Sequence, residues 1–62
     1  MILLKDIVGM KEAKAIQCLG DLGVKIRIVS RDGVKFIVTA DFKTDRVNLS
    51  IENGKVAKAD VG

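Results

Sequence analysis

Apolar and polar residues alternate most strictly between Arg46 and Ile51. Successive side chains of a strand point to opposite faces, so this segment predicts a strand with one aliphatic and one polar face: Val47, Leu49 and Ile51 against Arg46, Asn48 and Ser50. A second alternating segment, Lys25 to Val29, is rich in β-branched residues and predicts another strand. Asn53-Gly54 is a strong hairpin signal and joins the first of these strands to a last one, Lys55 to about Val61.

A helix is predicted from Lys11 to about Leu22, a segment rich in Lys, Glu, Ala and Gln. Its apolar residues recur at helical spacing, and the expected buried stripe is Ala13, Ile16 and Leu19, extended by Leu22 or Val24. Gly20 and Gly23 both lie where the helix could end, and Gly23 is the expected left-handed cap.

Cys18 lies on or beside this stripe, and we expect it to be a small buried side chain rather than a reactive thiol. The first ten residues are aliphatic without a clean period, so we expect an extended lead-in that packs on the core. These elements together predict an α+β fold, a single helix packed on a small mixed β-sheet with a long exposed loop, in one domain that spans residues 1–62.

The loop is the longest irregular segment and runs from Ser30 to Asp45. Loops of more than about 12–15 residues are uncommon in compact domains and are often functional. The middle of this loop, Phe36 to Thr39, is stiff and extended in character. Two interpretations stay open: a solvent-facing segment of the shape that a protease accepts in its cleft, or an ordinary core strand.

Composition argues against an enzyme and against bound cofactors or metals. The 62 residues include no histidine and one cysteine, so the chain lacks the commonest general base, any internal disulfide and a thiolate zinc site. A chain this small also has little room for an enclosed cleft. We therefore expect a binding protein that acts without a cofactor.

Charge and hydropathy argue against two classes of partner, nucleic acids and membranes. Eleven basic and eight acidic residues are interleaved, and neither tyrosine nor tryptophan offers a stacking surface, so we expect no nucleic-acid partner. No apolar run approaches the roughly 18 residues that span a membrane. The run Met1 to Leu4 is too short for a signal-peptide core, which points to a cytoplasmic chain as written, although the compartment stays unknown.

One block of the sequence resembles a known protein family more specifically than the rest of the chain does. It reads Val38-Thr39-Ala40-Asp41 and, a few residues later, Asp45-Arg46-Val47. Val-Thr, a variable residue, Asp or Glu, and then Asn or Asp before Arg-Val is the pattern of the potato inhibitor I family of serine protease inhibitors, which this block resembles. Two flanking segments also look like the family's helix start and its Val-Gly ending: Ile7 to Lys14, and Val61-Gly62. Residues 46–48 are similar to a related bacterial inhibitor family as well.

The resemblance implies a protein that binds a serine protease like a substrate. The reactive bond would be Ala40–Asp41, and further loop contacts would come from Ile37, Val38, Thr39 and Phe42. Ala40 would enter the primary specificity pocket. Because this side chain is a single methyl group, the expected targets are subtilisin-like or elastase-like proteases.

The resemblance also implies residues that support the loop. Arg46 matches a basic brace of the family, with Thr39 and Asp41 as its partners, and Gly62 lies at the matching chain ending. Asn48 stands where many members have a second arginine, so Asn48→Arg is expected to tighten inhibition. The alternative is a fold relative without inhibition that acts as an intracellular or viral interaction module. A monomer is expected, and pairing of edge strands into a dimer stays open.

Overall fold

The computed structural model describes residues 4–38 and 40–62. Two helices and four strands follow in chain order: α1 Leu4–Ile7, α2 Glu12–Asp21, β1 Lys25–Arg31, β2 Val34–Lys35, β3 Arg46–Glu52 and β4 Lys55–Val61. The strands form one sheet in the order β2-β1-β3-β4, in which β1 and β3 run parallel and the two outer pairs antiparallel. The predicted α+β fold, with one main helix and a small mixed sheet, is confirmed.

The core forms on the aliphatic face that the alternation in β3 predicts. Val47, Leu49 and Ile51 are buried, and they pack with four further apolar residues from the helices and β4: Ile7, Ala15, Leu19 and Val56. Full burial of such aliphatic side chains is worth about 1.5–3 kcal/mol each. The polar residues of β3 consequently point to the opposite face of the sheet, away from this core.

The buried stripe of α2 has the expected period but a different phase. Ala15 and Leu19 are buried, and Cys18 is partly buried against the core as expected. Ala13 and Ile16, which were expected inside, are exposed instead.

Glu12, at the start of α2, makes two contacts that hydropathy does not encode. A register shift after Ile28 places Arg31 opposite the inward-facing Ile51, and the Arg31 guanidinium then bonds the Glu12 carboxylate at 2.7 Å. The Glu12 amide also donates to the carbonyl of Gly54 at 2.8 Å. These contacts lie on the same face of α2 as the buried Ala15 and Leu19.

The start of the chain corrects a second expectation. The lead-in is not extended throughout, because residues 4–7 form a short helix whose last residue, Ile7, is fully buried. One turn of helix contains too few residues to show a period in the sequence. Packing of this segment on the core is confirmed for Ile7, whereas Met1 to Leu3 lie outside the described residues.

The predicted turns occur where the glycines stand. Gly23 has a φ of +75° and ends α2, as predicted. Asn53 and Gly54 both have positive φ, which matches the two-residue hairpin expected between β3 and β4. Asp32 and Gly33 form a further turn of this type, so the chain continues from β1 into β2 before the irregular segment begins.

Neither described helix is long and apolar enough to cross a membrane.

Because α2 buries Leu19 and exposes Ile16, truncating these two side chains to alanine should lower the free energy of unfolding by different amounts. Leu19→Ala should lower the free energy of unfolding by about 2–5 kcal/mol, because it opens a cavity in the core. Ile16→Ala, three residues earlier and exposed, should cost about 1 kcal/mol or less. Urea denaturation of the two variants measures both values. Equal losses would show that α2 does not present residues 15 and 19 to the sheet.

Candidate functional site

The irregular segment between β2 and β3 crosses over the intervening strand β1. We call residues 36–45 the crossing loop. It begins where the Phe36 amide donates to the Val29 carbonyl at 3.0 Å, and it ends where the Lys25 amide donates to the Asp45 carbonyl at 3.0 Å. The loop is thus shorter than the expected segment from Ser30 to Asp45, because Ser30 and Arg31 belong to β1 and residues 34–35 form β2.

The crossing loop displays apolar side chains to solvent. Ile37 is fully exposed, Phe42 is 70% exposed, and Phe36 and Val38 are each about two-fifths exposed. Of the two interpretations of residues 36–39, the structure supports the solvent-facing one for 36–38, and Thr39 lies outside the described residues. Four exposed apolar side chains on one loop make it the candidate binding surface of this domain.

Arg46 lies beneath this loop as the first residue of β3, with only 12% of its side chain exposed. One terminal nitrogen, Nη2, donates to the carbonyl of Asp41 at 2.9 Å and to the carbonyl of Gly62 at 2.6 Å. The other terminal nitrogen, Nη1, lies 3.5 Å from Oδ2 of the Asp41 carboxylate. The guanidinium therefore links the middle of the crossing loop to the residue that follows β4.

Gly62 completes this connection through its backbone. Its amide donates to the Arg46 carbonyl at 2.9 Å, and its carbonyl also accepts from the Lys43 amide at 3.2 Å. Gly62 is buried, and a Cβ atom added to it would lie 3.0 Å from Nδ2 of Asn48. That distance is too short for an ordinary contact, so the position favours glycine.

Three cations surround the Asp41 carboxylate. Oδ2 lies 3.5 Å from Arg46 and 4.0 Å from Nζ of Lys43, whereas Oδ1 faces Nη1 of Arg27 at 3.8 Å. These cations come from β3, from the loop itself and from β1. The predicted pairing of Arg46 with Asp41 is therefore present in the structure as both a carbonyl and a carboxylate contact.

Arg27 is the residue that sequence reasoning missed. It stands opposite Asn48 in the parallel pairing of β1 and β3, and its Nε donates to Oδ1 of Asn48 at 2.9 Å. Alternation along β1 places Arg27 between Ile26 and Ile28, which pack against the core, and so on the polar face. That signal was available in the sequence, but the pairing that brings Arg27 beside the loop was not.

The remaining predicted site residues lie in the crossing loop. Ala40 is exposed, next to Asp41, which Arg46 holds.

Among residues 4–38 and 40–62, no group of three or more His, Cys, Asp or Glu side chains could hold a metal ion.

The position of Arg27 adds a stability test beside the expectation that Asn48→Arg tightens inhibition. The substitution would remove the acceptor of Arg27 Nε and place a second guanidinium beside the first. Two like charges about 4 Å apart repel by about 1 kcal/mol in water, so we expect a loss of about that size in the free energy of unfolding. Asn48→Asp keeps an acceptor for Arg27 but stands opposite Asp60 in the pairing of β3 with β4, so we expect its stability to stay within about 1 kcal/mol of the wild type. Denaturant unfolding measures both variants, and a gain in stability from Asn48→Arg would contradict this arrangement.

Comparison with known proteins leaves the site to be interpreted from its own geometry. No protein-family model, curated protein or solved structure matches this chain. The features that carry a functional interpretation are therefore the exposed apolar residues of the crossing loop and the cations that surround Asp41.

Proposed function

We propose that this protein is a serine protease inhibitor that binds its target as a substrate does, through the crossing loop. The observation that supports this most is the two-sided character of the loop at Asp41. Toward the sheet, the Asp41 carbonyl is fixed by Arg46 at 2.9 Å. Toward solvent, the loop presents Ile37 and Phe42 as exposed side chains on either side of Ala40.

Exposed side chains on a fixed backbone suit a protease cleft. Proteases bind extended peptide segments and accept successive side chains in separate pockets. A flexible peptide loses about 1–2 kcal/mol of backbone entropy for each residue that it orders. A loop that is already ordered by its own domain avoids much of this loss, and its affinity rises accordingly.

An inhibitor must also survive attack on the bond that it presents. Cleavage at Ala40–Asp41 would leave a new amine on Asp41, and Arg46 would still hold that residue by its carbonyl and carboxylate. Retention of the Asp41 end in its original position would favour rejoining of the bond. With one cysteine in the chain, no internal disulfide can do this, so hydrogen bonds must. Bonds to a charged group are worth about 1.5–3 kcal/mol each, more than an exposed ion pair.

The size of Ala40 sets the class of target. Its methyl group is too small to fill the deep apolar pocket of a chymotrypsin-like enzyme, and it carries no charge for a trypsin-like one. Subtilisin-like and elastase-like proteases accept small residues at this position. The resemblance of residues 37–47 to potato inhibitor I sequences agrees with this proposal.

Titration of subtilisin, elastase and chymotrypsin with the protein tests the function directly. We expect subtilisin or elastase to lose activity in proportion to the protein added, at concentrations near stoichiometric. Failure to inhibit any of the three would refute the proposal and favour a binding module without inhibition.

Enlarging Ala40 should shift this selectivity. Ala40→Leu or Ala40→Met should strengthen inhibition of chymotrypsin by about tenfold to a hundredfold, because each buried methylene contributes about 0.8 kcal/mol. Ala57→Leu, at an exposed position on β4, serves as the matched control and should change nothing. Inhibition constants measure the series, and no gain at position 40 would show that Ala40 is not the primary contact.

Removing Arg46 should convert the inhibitor into a substrate. Arg46→Ala should be cut at Ala40–Asp41 while the fold persists, and Arg46→Lys should fail partly, because an ammonium lacks guanidinium geometry. Lys58→Ala removes an exposed charge from β4 and should behave as the wild type. Mass spectrometry after incubation with protease follows the cleavage. An intact Arg46→Ala protein that inhibits as well as the wild type would contradict the mechanism.

A further inference from the structure

Arg27 contacts the crossing loop from β1, whereas the loop itself connects β2 to β3. Its side chain is 20% exposed, and Nη1 lies 3.8 Å from Oδ1 of Asp41. Arg46 approaches the other carboxylate oxygen, Oδ2, from β3. The two oxygens of one carboxylate are thus held by cations on two neighbouring parallel strands.

Contact from two strands restricts the carboxylate more than contact from one. With cations at Oδ2 alone, the Asp41 carboxylate could still rotate about its own bond, and this motion would loosen the residue whose amide forms the Ala40–Asp41 bond. A second cation on the opposite oxygen opposes this rotation. We propose that Arg27 is a second positioning residue for the Ala40–Asp41 bond, acting through the Asp41 carboxylate, and that Asn48 orients Arg27. This inference rests on the proposed function of the crossing loop.

Asn48 gives Arg27 a fixed direction. Nε of Arg27 donates to Oδ1 of Asn48 at 2.9 Å, and the two residues are paired in the register of β1 and β3. A long side chain normally loses rotamer freedom when it forms an ion pair, and this loss weakens the pair. Orientation of the guanidinium by Asn48 reduces that loss before Asp41 is engaged.

Exposure limits the expected size of the effect. The Asp41 side chain is 43% exposed, and solvent screens an ion pair at such a site. We therefore expect loss of Arg27 to change the cleavage rate by about fivefold, less than loss of Arg46, which also holds the backbone carbonyl.

Lys25 provides a matched control on the same face of β1. It stands two residues before Arg27, and its ammonium lies 3.7 Å from Asp45 rather than from Asp41. Lys25→Gln removes the same charge from the same strand and keeps the backbone bond of Lys25 to the loop. An effect of Arg27→Gln that Lys25→Gln does not share therefore belongs to Asp41 and not to net charge.

The test measures two quantities on purified variants whose thermal unfolding is checked first. One is the rate at which subtilisin cuts Ala40–Asp41, followed by mass spectrometry. The other, measured without protease, is the ¹⁵N order parameter of the Asp41 amide. Arg27→Gln should raise the rate about fivefold and lower the order parameter, Arg27→Lys should do so partly, and Lys25→Gln should do neither.

Double substitutions show whether Asn48 acts through Arg27, and Arg27 through Asp41. In an Asp41→Asn background, Arg27→Gln should have little further effect on the cleavage rate, since its partner charge is gone. Asn48→Ala should resemble Arg27→Gln, and combining the two should add nothing. A full Arg27→Gln effect in the Asp41→Asn protein would overturn the role assigned to Arg27, as would equal behaviour of Arg27→Gln and Lys25→Gln.

The two readouts separate this inference from the proposed function. A wild-type protein that subtilisin degrades as fast as the denatured chain would refute inhibition. The order parameters would then decide the role of Arg27 alone: a fall at Asp41 in Arg27→Gln but not in Lys25→Gln supports it, and no difference overturns it.

Discussion

The contact on which the site depends is the guanidinium of Arg46 under the crossing loop. One nitrogen donates to two carbonyl oxygens, that of Asp41 in the loop and that of Gly62 after β4. Without this contact the backbone bonds of the loop to its surroundings would be those at its two ends, through Phe36 and Asp45, and the bond from Lys43 to Gly62. The bonds from Arg46 to the two carbonyl oxygens contribute most to holding the loop, because the ion pairs around Asp41 are longer and partly screened by solvent.

The sheet directs the Arg46 side chain toward the crossing loop. Burial of Val47 and its alternate neighbours in β3 forces Arg46 to the opposite face, because successive side chains of a strand point to opposite sides. The loop crosses β1 on its way to β3, and its middle residue Asp41 lies over that polar face, within reach of Arg46 and Arg27. A small hydrophobic core thus sets the direction of the side chains that hold the loop.

Local patterns predicted much of this structure. Alternation identified the buried face of β3, and the glycines at 23 and 54 identified a helix end and a hairpin. What local patterns missed depends on contacts between distant residues. The bond between Glu12 and Arg31 lies on the face that α2 buries, and the position of Arg27 beside the loop follows from the pairing of β1 with β3. Neither is visible until the strands are placed side by side.

The most direct test of the account is the equilibrium of the Ala40–Asp41 bond. Intact protein and protein already cut at this bond are incubated separately with a small amount of subtilisin, and the fraction intact is followed by mass spectrometry. If the contacts of Asp41 keep the cut ends together, the two samples should converge on the same mixture, with intact protein formed again from the cut form. One-way loss of intact protein, with further cuts in the crossing loop, would contradict the account.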